Sequence, residues 1–315
     1  MGIDHRENPL AGSAMSEPGP IPRKQIDGYA ASLMTVLCLC WALQQVVTKA
    51  AAHAMNPVLQ VGIRSFVAAL LVAGLMSLRR DRIFRKDGTL WPGILVGLLF
   101  GGEVVGVSLG LQYTTAGHMA VFLYTAPVFT AVGLHLGVKS ERLSPRQWWG
   151  VILAFGGMAL GYSGSFFVEG GKDMIIGDLL GMLGGLFWAG TTIVIRRSSL
   201  AETSSSKTLL YQLGGAAIIL LPMAYFSGHF NQVVPSGLLW WNLAFQSVVI
   251  TFGSYLIWFQ LLRKYLATRL SVFSFLTPIF GVALGVMVLN EPLDSRFVAG
   301  SILVLAGIAL VSRKV

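Results

Sequence analysis

Apolar residues dominate this chain in long blocks, and polar residues collect in the short breaks between them. Blocks near 20 residues match the length of a helix that crosses a bilayer. They predict ten helices, over about 28–49, 56–78, 90–113, 116–138, 144–164, 175–195, 206–227, 237–262, 268–289 and 294–313. Within them one passage occurs twice. Residues 121–129 read VFLYTAPVF and residues 272–280 read VFSFLTPIF, so Val121, Phe122, Pro127 and Phe129 fall on Val272, Phe273, Pro278 and Phe280 at a constant offset of 151. An acid-x-Leu turn follows each copy, Glu141-Arg142-Leu143 and Glu291-Pro292-Leu293. Duplication inside apolar segments is how many membrane transporters are built.

Five helices per repeat is an odd number, so the second repeat must enter the membrane from the opposite side. The loops agree. Arg79, Arg80, Arg82, Arg85 and Lys86 fill the loop after the second helix, whereas its counterpart, GHFNQVVPS, has no Lys or Arg. Lys139, Arg142 and Arg146 follow the fourth helix; Arg296 with two acids follows the ninth. The nearly neutral AAHAMNP and QYTTAGH face counterparts that hold Arg196, Arg197 and Lys207, or Arg263, Lys264 and Arg269. The basic loops belong in the cytoplasm, and so do both termini. The expected fold is therefore an all-α membrane protein with ten transmembrane helices in two inverted five-helix repeats. Residues 1–27 form a disordered cytoplasmic tail, 28–166 the first repeat and 167–315 the second.

Composition supports the bilayer. The chain is 54% hydrophobic and 12% charged, against about 25% charged in soluble domains, and its mean hydropathy is +0.69. The pI of about 9.8 would suggest nucleic acid for a soluble protein, but here the basic residues sit in membrane loops, so no nucleic-acid partner is expected. The tail lacks the apolar core of a signal peptide. Cys38 and Cys40 stand two residues apart and so face different ways on a helix, which predicts neither a disulfide nor a metal site. The 37 glycines include small-xxx-small patterns that let helices approach closely in lipid; they permit a homodimer without requiring one.

These residues resemble the EamA family of the drug/metabolite transporter superfamily. The resemblance rests on Tyr113-Thr114-Thr115-Ala116…Pro127, Glu141-Arg142-Leu143…Gly150 and Gly156-Gly157, then on Phe273…Pro278…Asn290-Glu291-Pro292…Gly300 and Gly307. It implies ten helices, inverted repeats and export of small metabolites from bacteria. Within the family the chain looks like the amino-acid exporters of the YddG type. Tyr265-Leu266-Ala267-Thr268-Arg269 departs from the family pattern by placing a charge where small residues are usual.

Candidate transport residues follow from polarity at depth. Glu103 lies near the middle of the third helix, where an acid costs about 2.5–3.5 kcal/mol to insert. Arg64 sits at a similar depth in the second. A fixed Arg64–Glu103 ion pair and a substrate-ammonium or proton-carrying site are both open readings. Trp41, Gln45 and Thr48 share a helix face by their spacing, with Gln44 beside them. Trp188 and Thr192 repeat the start of that stripe. Such residues suit a small-molecule cavity or hydrogen bonds between helices. His118, Phe122 and Thr125 form another face, with Tyr124 adjacent; His118, near the outer end, is open to solvation. Thr251, Tyr255 and Trp258 form an aromatic face. Pro127 and Pro278 interrupt their helices and are expected hinges. Trp148-Trp149 and Trp240-Trp241 are expected interfacial anchors.

No phosphate-binding loop, metal cluster or nucleophile elbow is present, so the chain is read as neither an ATPase nor an enzyme, without cofactor or metal. The expected function is a secondary transporter in the bacterial inner membrane, exporting small amino acids or related metabolites by alternating access. Efflux of hydrophobic cations and a non-transporting membrane scaffold are the alternatives.

Overall fold

The computed structural model describes residues 23–51, 53–81, 87–164, 171–289 and 295–313. Most of the expected tail therefore lies outside the described residues, as do Arg82, Arg85, Lys86 and the Asn290-Glu291-Pro292 turn. The described chain is helical: α1 Gly28–Ala50, α2 Pro57–Leu78, α3 Leu90–Gly110, α4 Ala116–Leu123, α5 Ala126–Gly137, α6 Pro145–Gly161, α7 Gly171–Arg197, α8 Ser205–Phe226, α9 Gly237–Phe245, α10 Tyr255–Lys264, α11 Ala267–Phe273, α12 Leu276–Leu289 and α13 Ser295–Ser312. A π-helical segment, Gln246–Ser254, joins α9 to α10 into one rod. Nine helical runs among the described residues have at least 18 residues and are apolar enough to cross a bilayer. α6, the fifth expected helix, is 17 residues long.

Local chemistry sets the helix ends. Asn56, Thr115, Ser144, Ser204 and Ser236 each accept a backbone N–H of the turn they open, satisfying donors that a helix start leaves unpaired. Ser144 and Gln147 form a reciprocal capping box.

Glycines decide the closest packing. Cβ atoms added to Gly150 and Gly157 would lie 2.8 Å from Gly307 O and 2.6 Å from Gly300 O, so α6 and α13 meet backbone to backbone. α3 and α8 do the same at Gly97 and Gly215, where an added Cβ would lie 2.8 Å from a backbone atom. In lipid there is no hydrophobic force between helices, and close van der Waals contact takes its place. Elsewhere α2 packs on α8, α7 packs on α3, α4 and α5, and α1 packs on α12.

Hydrogen bonds sort the loops by bundle end. At one end, Lys24 N donates to Lys264 O at 2.8 Å, Ser199 Oγ to Gly88 O at 2.9 Å and Gln147 Nε2 to Val311 O at 3.2 Å. At the other, Val234 N donates to Ala54 O at 2.9 Å. The first end thus gathers the start of the described chain, the end of α13 and the basic loops. The side chains of Trp149, Trp240 and Trp241 are exposed, whereas Trp148 is half-buried, its ring 5.5 Å from that of His135.

The helices that hold Pro127 and Pro278 are interrupted just before each proline. Each belongs to the first turn of a new helix, α5 or α12, after a true break at Tyr124-Thr125 or Ser274-Phe275. A proline is tolerated there because its missing N–H would lack a partner anyway. The breaks are satisfied alike: Thr125 Oγ1 donates to Phe122 O and Ser274 Oγ to Ser271 O, both at 2.6 Å. The neighbouring helix completes each one. Cys38 Sγ of α1 donates to Phe273 O at 3.3 Å, and Gly185 of α7 lies so close to the other break that a Cβ would meet Thr125 Oγ1 at 2.6 Å.

Candidate functional site

A polar network sits between α1, α2 and the α9–α10 rod. Arg64, 4% exposed, donates from Nη1 to Gln246 Oε1 at 2.6 Å. With its amide oxygen turned to the guanidinium, the orientation its neighbours satisfy, Gln44 accepts from Nη1 at 2.8 Å and Nη2 at 3.0 Å. Gln246 also accepts from Thr48 Oγ1 at 3.2 Å, and donates to Asn242 Oδ1 and to Gln60 Oε1 at 3.3 Å. Asn242 Nδ2 in turn donates to Val47 O at 2.7 Å. Buried polar groups this connected hold three helices in one register. Arg64 Nε is buried without a hydrogen-bond partner.

Glu103 answers the open question of the ion pair. Among the described residues no ion pair within 4.0 Å joins it to Arg64; the two act on one another through space, together with Tyr255. Protein crowds Glu103, yet part of its surface stays reachable. Aromatic rings stand beside it. Trp41 meets Tyr255 and Trp258 edge to face at centroid distances of 6.4 and 5.7 Å, and Phe100 meets Tyr255 at 6.1 Å. Trp41, Gln44, Tyr255 and Trp258 are all partly exposed.

The π-helical segment explains which residues face inward. Its wider turn changes the phase of the rod, a feature frequent at functional sites. Ser254, rather than Thr251, reaches Trp41, accepting from its Nε1 at 3.1 Å, while Thr251 Oγ1 is buried without a partner. On α1 the stripe toward the network is Trp41, Gln44 and Thr48. Gln45, expected in that stripe, turns instead toward Tyr124 and Gly281.

Other expected site residues fall into separate groups. Tyr124 packs on Trp188 at 5.4 Å and on Phe275 at 6.3 Å, a second aromatic cluster beside the helix breaks. Thr192 does not join it; it lines a void of about 10 Å³ with Arg196, Phe259 and Ala267, room for about one water. His118 is buried, not solvated. Its Nδ1 lies 2.9 Å from Asp178 Oδ2, and Thr114 Oγ1 donates to Asp178 Oδ1 at 2.7 Å. Asp178 escaped the sequence reading because it stands near the start of a long apolar run, where acids are common at helix ends. Gln60, Asn242 and Gln246 escaped it because an amide in a membrane helix carries no signal of which way it faces.

Two acids outside the membrane segments have shifted titration. The Ala30 N–H, with the Tyr265 hydroxyl, holds the Asp27 carboxyl below the ordinary range. Burial pushes Asp87 up, but hydrogen bonds from Lys207 and Thr89 outweigh it and bring the carboxyl to about 2. Lys207 Nζ lies 2.8 Å from Asp87 Oδ2.

The described residues form a multi-span helical bundle with polar and aromatic side chains in its interior. The family model described as the EamA-like transporter family matches the chain twice, over residues 28–162 and 175–313, and the chain belongs to that family. It is similar to YvbV of Bacillus subtilis, an uncharacterized transporter, with 27% identity over 90% of this chain and 92% of that protein. It is also similar to a probable amino-acid metabolite efflux pump of Salmonella typhimurium, with 26% identity over 90% of this chain and 93% of that protein. One crystal structure with 16% identity superposes at a TM-score of 0.75, over 90% of this chain and 96% of its own, and shares the fold.

Proposed function

We propose that this protein exports small amino acids or closely related metabolites across the bacterial inner membrane, by alternating access through a cleft lined by Arg64 and Glu103. The observation that carries this reading is that the Arg64 guanidinium and the Glu103 carboxyl group stand apart. Arg64 is held by amide oxygens, which leave its positive charge unneutralised, and Glu103 stands near it without contact. A zwitterion supplies both missing partners: its carboxylate suits Arg64 and its ammonium suits Glu103. Trp41, Tyr255 and Trp258 then contact the side chain. Charges inside a membrane that are not joined to each other mark substrate or ion pathways by default.

The reading includes ten spans, with α6 as the fifth, in two inverted repeats divided near residue 166, and both termini in the cytoplasm. It is supported by the two family matches and by packing in which α7 rests on α4 and α5 as α1 rests on α11 and α12. Pro127 and Pro278 at the paired breaks are its hinges.

Uptake of amino acids into liposomes that contain purified protein tests the reading, with Glu103→Gln and Arg64→Ala as variants. Unchanged uptake in both variants would sink it. The aromatic rings beside Glu103 favour a second reading, efflux of hydrophobic cations. Counterflow with amino acids set against quaternary amines separates the two, because only the zwitterion uses Arg64.

A further inference from the structure

A second charged cluster lies away from the cleft, at the bundle end that bears the termini. Its centre is Glu141, 1% exposed, in the turn between α5 and α6. One Glu141 oxygen accepts from Ala267 N at 3.0 Å; the other accepts from Thr268 N at 3.1 Å and Thr268 Oγ1 at 2.8 Å. Arg196 Nε, at the end of α7, lies 2.7 Å from Glu141 Oε1, an ion pair whose angle is too poor for a hydrogen bond. Arg196 also donates from Nη2 to Tyr265 O. One carboxylate thus ties the α5–α6 turn, the end of α7 and the start of α11 together. The start of the described chain straps the turn between α10 and α11: Leu266 N donates to Lys24 O at 3.1 Å, and the Tyr265 hydroxyl donates to Asp27 at 2.9 Å.

The charges in this cluster do not balance. Arg269, 5% exposed, also feels Glu141, but its Nε and Nη1 are buried without a hydrogen-bond partner. Arg23 and Glu202, which also act on Arg196, pair with each other at 2.7 Å, so Arg196 and Arg269 share the one remaining carboxylate. Unmade hydrogen bonds on a buried charge are costly, so the cluster holds unused capacity for a second carboxylate.

We infer that Glu141 clasps the cytoplasmic end of the transport path shut, and that Arg196 and Arg269 form a carboxylate-binding entry site there. An incoming carboxylate competes with Glu141 for the two arginines, frees the start of α11 and opens that end. Opening by ligand requires a differential affinity for the open state, and the unpartnered Arg269 donors provide it. The inference rests on the transport reading above for the direction of traffic.

The test reads access rather than transport. Thr192 lies behind the clasp, against Arg196 and Ala267. In a background with Cys38→Ser and Cys40→Ser, Thr192→Cys is labelled with a membrane-impermeant maleimide from the termini-bearing side. Slow labelling is expected, accelerated about tenfold or more by Glu141→Gln, the effect of losing charged hydrogen bonds, and slowed again by Glu141→Asp. Acetate is expected to accelerate labelling, methylammonium at equal ionic strength is not, and Arg269→Gln is expected to abolish the acetate effect. A disulfide between Glu141→Cys and Thr268→Cys should block labelling of residue 192, read on the peptide that carries it, until the disulfide is reduced and the reductant removed, which keeps the test valid if Glu141→Gln folds poorly. Labelling indifferent to acetate, or equally fast with the disulfide intact, overturns the inference. Amino-acid uptake that fails while labelling still responds removes the transport reading and leaves the clasp standing.

Discussion

Nη1 of Arg64 donates to Oε1 of Gln246 at 2.6 Å, across 182 residues of chain. This bond joins α2 to the π-helical segment and, with Gln44, holds the guanidinium in place. Gln246→Leu removes the acceptor and leaves a buried donor unmade, at about 1–3 kcal/mol. A lower melting temperature in detergent is expected, together with weaker amino-acid binding, since Arg64 would then be held by Gln44 alone. An unchanged melting temperature would contradict the role given to Gln246.

Glu103→Gln keeps the shape of the side chain and removes its carboxyl group. A charge-assisted hydrogen bond is worth about 1.5–3 kcal/mol, so affinity for a zwitterionic amino acid should fall about tenfold or more. The deaminated analogue, which has no ammonium, should lose little. Binding of both ligands to wild type and variant by calorimetry makes the comparison.

Gly157 and Gly300 allow the α6–α13 crossing, and a Cβ on Gly157 would lie 2.6 Å from Gly300 O. Gly157→Leu should force the helices apart and lower both folded yield and melting temperature. Gly156, with nothing within 4 Å of an added Cβ, is the control. Gly156→Ala should be neutral or stabilise by about 0.4–1 kcal/mol.

The pair Asp87–Lys207 makes an acid-sensitive contribution. Its folded carboxyl titrates at about 2, below the unfolded value of about 3.9. The stabilisation is therefore complete above the unfolded value and is lost as pH falls toward the folded one. The difference in melting temperature between wild type and Asp87→Asn should hold constant from neutral pH down to about 5 and shrink between about 4 and 2.

Helix breaks at Thr125 and Ser274 suggest that the prolines set mobility more than stability. Pro127→Ala and Pro278→Ala restore an N–H at the start of α5 and α12 and relieve the crowding that keeps the breaks open. Turnover in liposomes should fall severalfold with half-saturation little changed. A shift in half-saturation alone would point to the site instead of the hinge.

The apolar blocks carry the reading of a multi-span helical bundle, and the doubled passage places Pro127 and Pro278. Those features are local: a run of apolar residues has nowhere to go but the bilayer, and its flanking charges stay outside it. Glu103 and Arg64 were legible for the same reason, because a charge at that depth is conspicuous in any membrane helix. Which residues meet was decided by the tertiary structure alone. Helix rotation and the phase change of the π-helical segment put Gln44 and Gln246 on Arg64, sent Gln45 toward Tyr124 and Thr192 to a void near Arg196, and buried His118 on Asp178. Partners such as Glu141 and Thr268 lie on distant parts of the chain, and their contact depends on how whole helices pack, which glycine spacing permits but side-chain pattern does not specify.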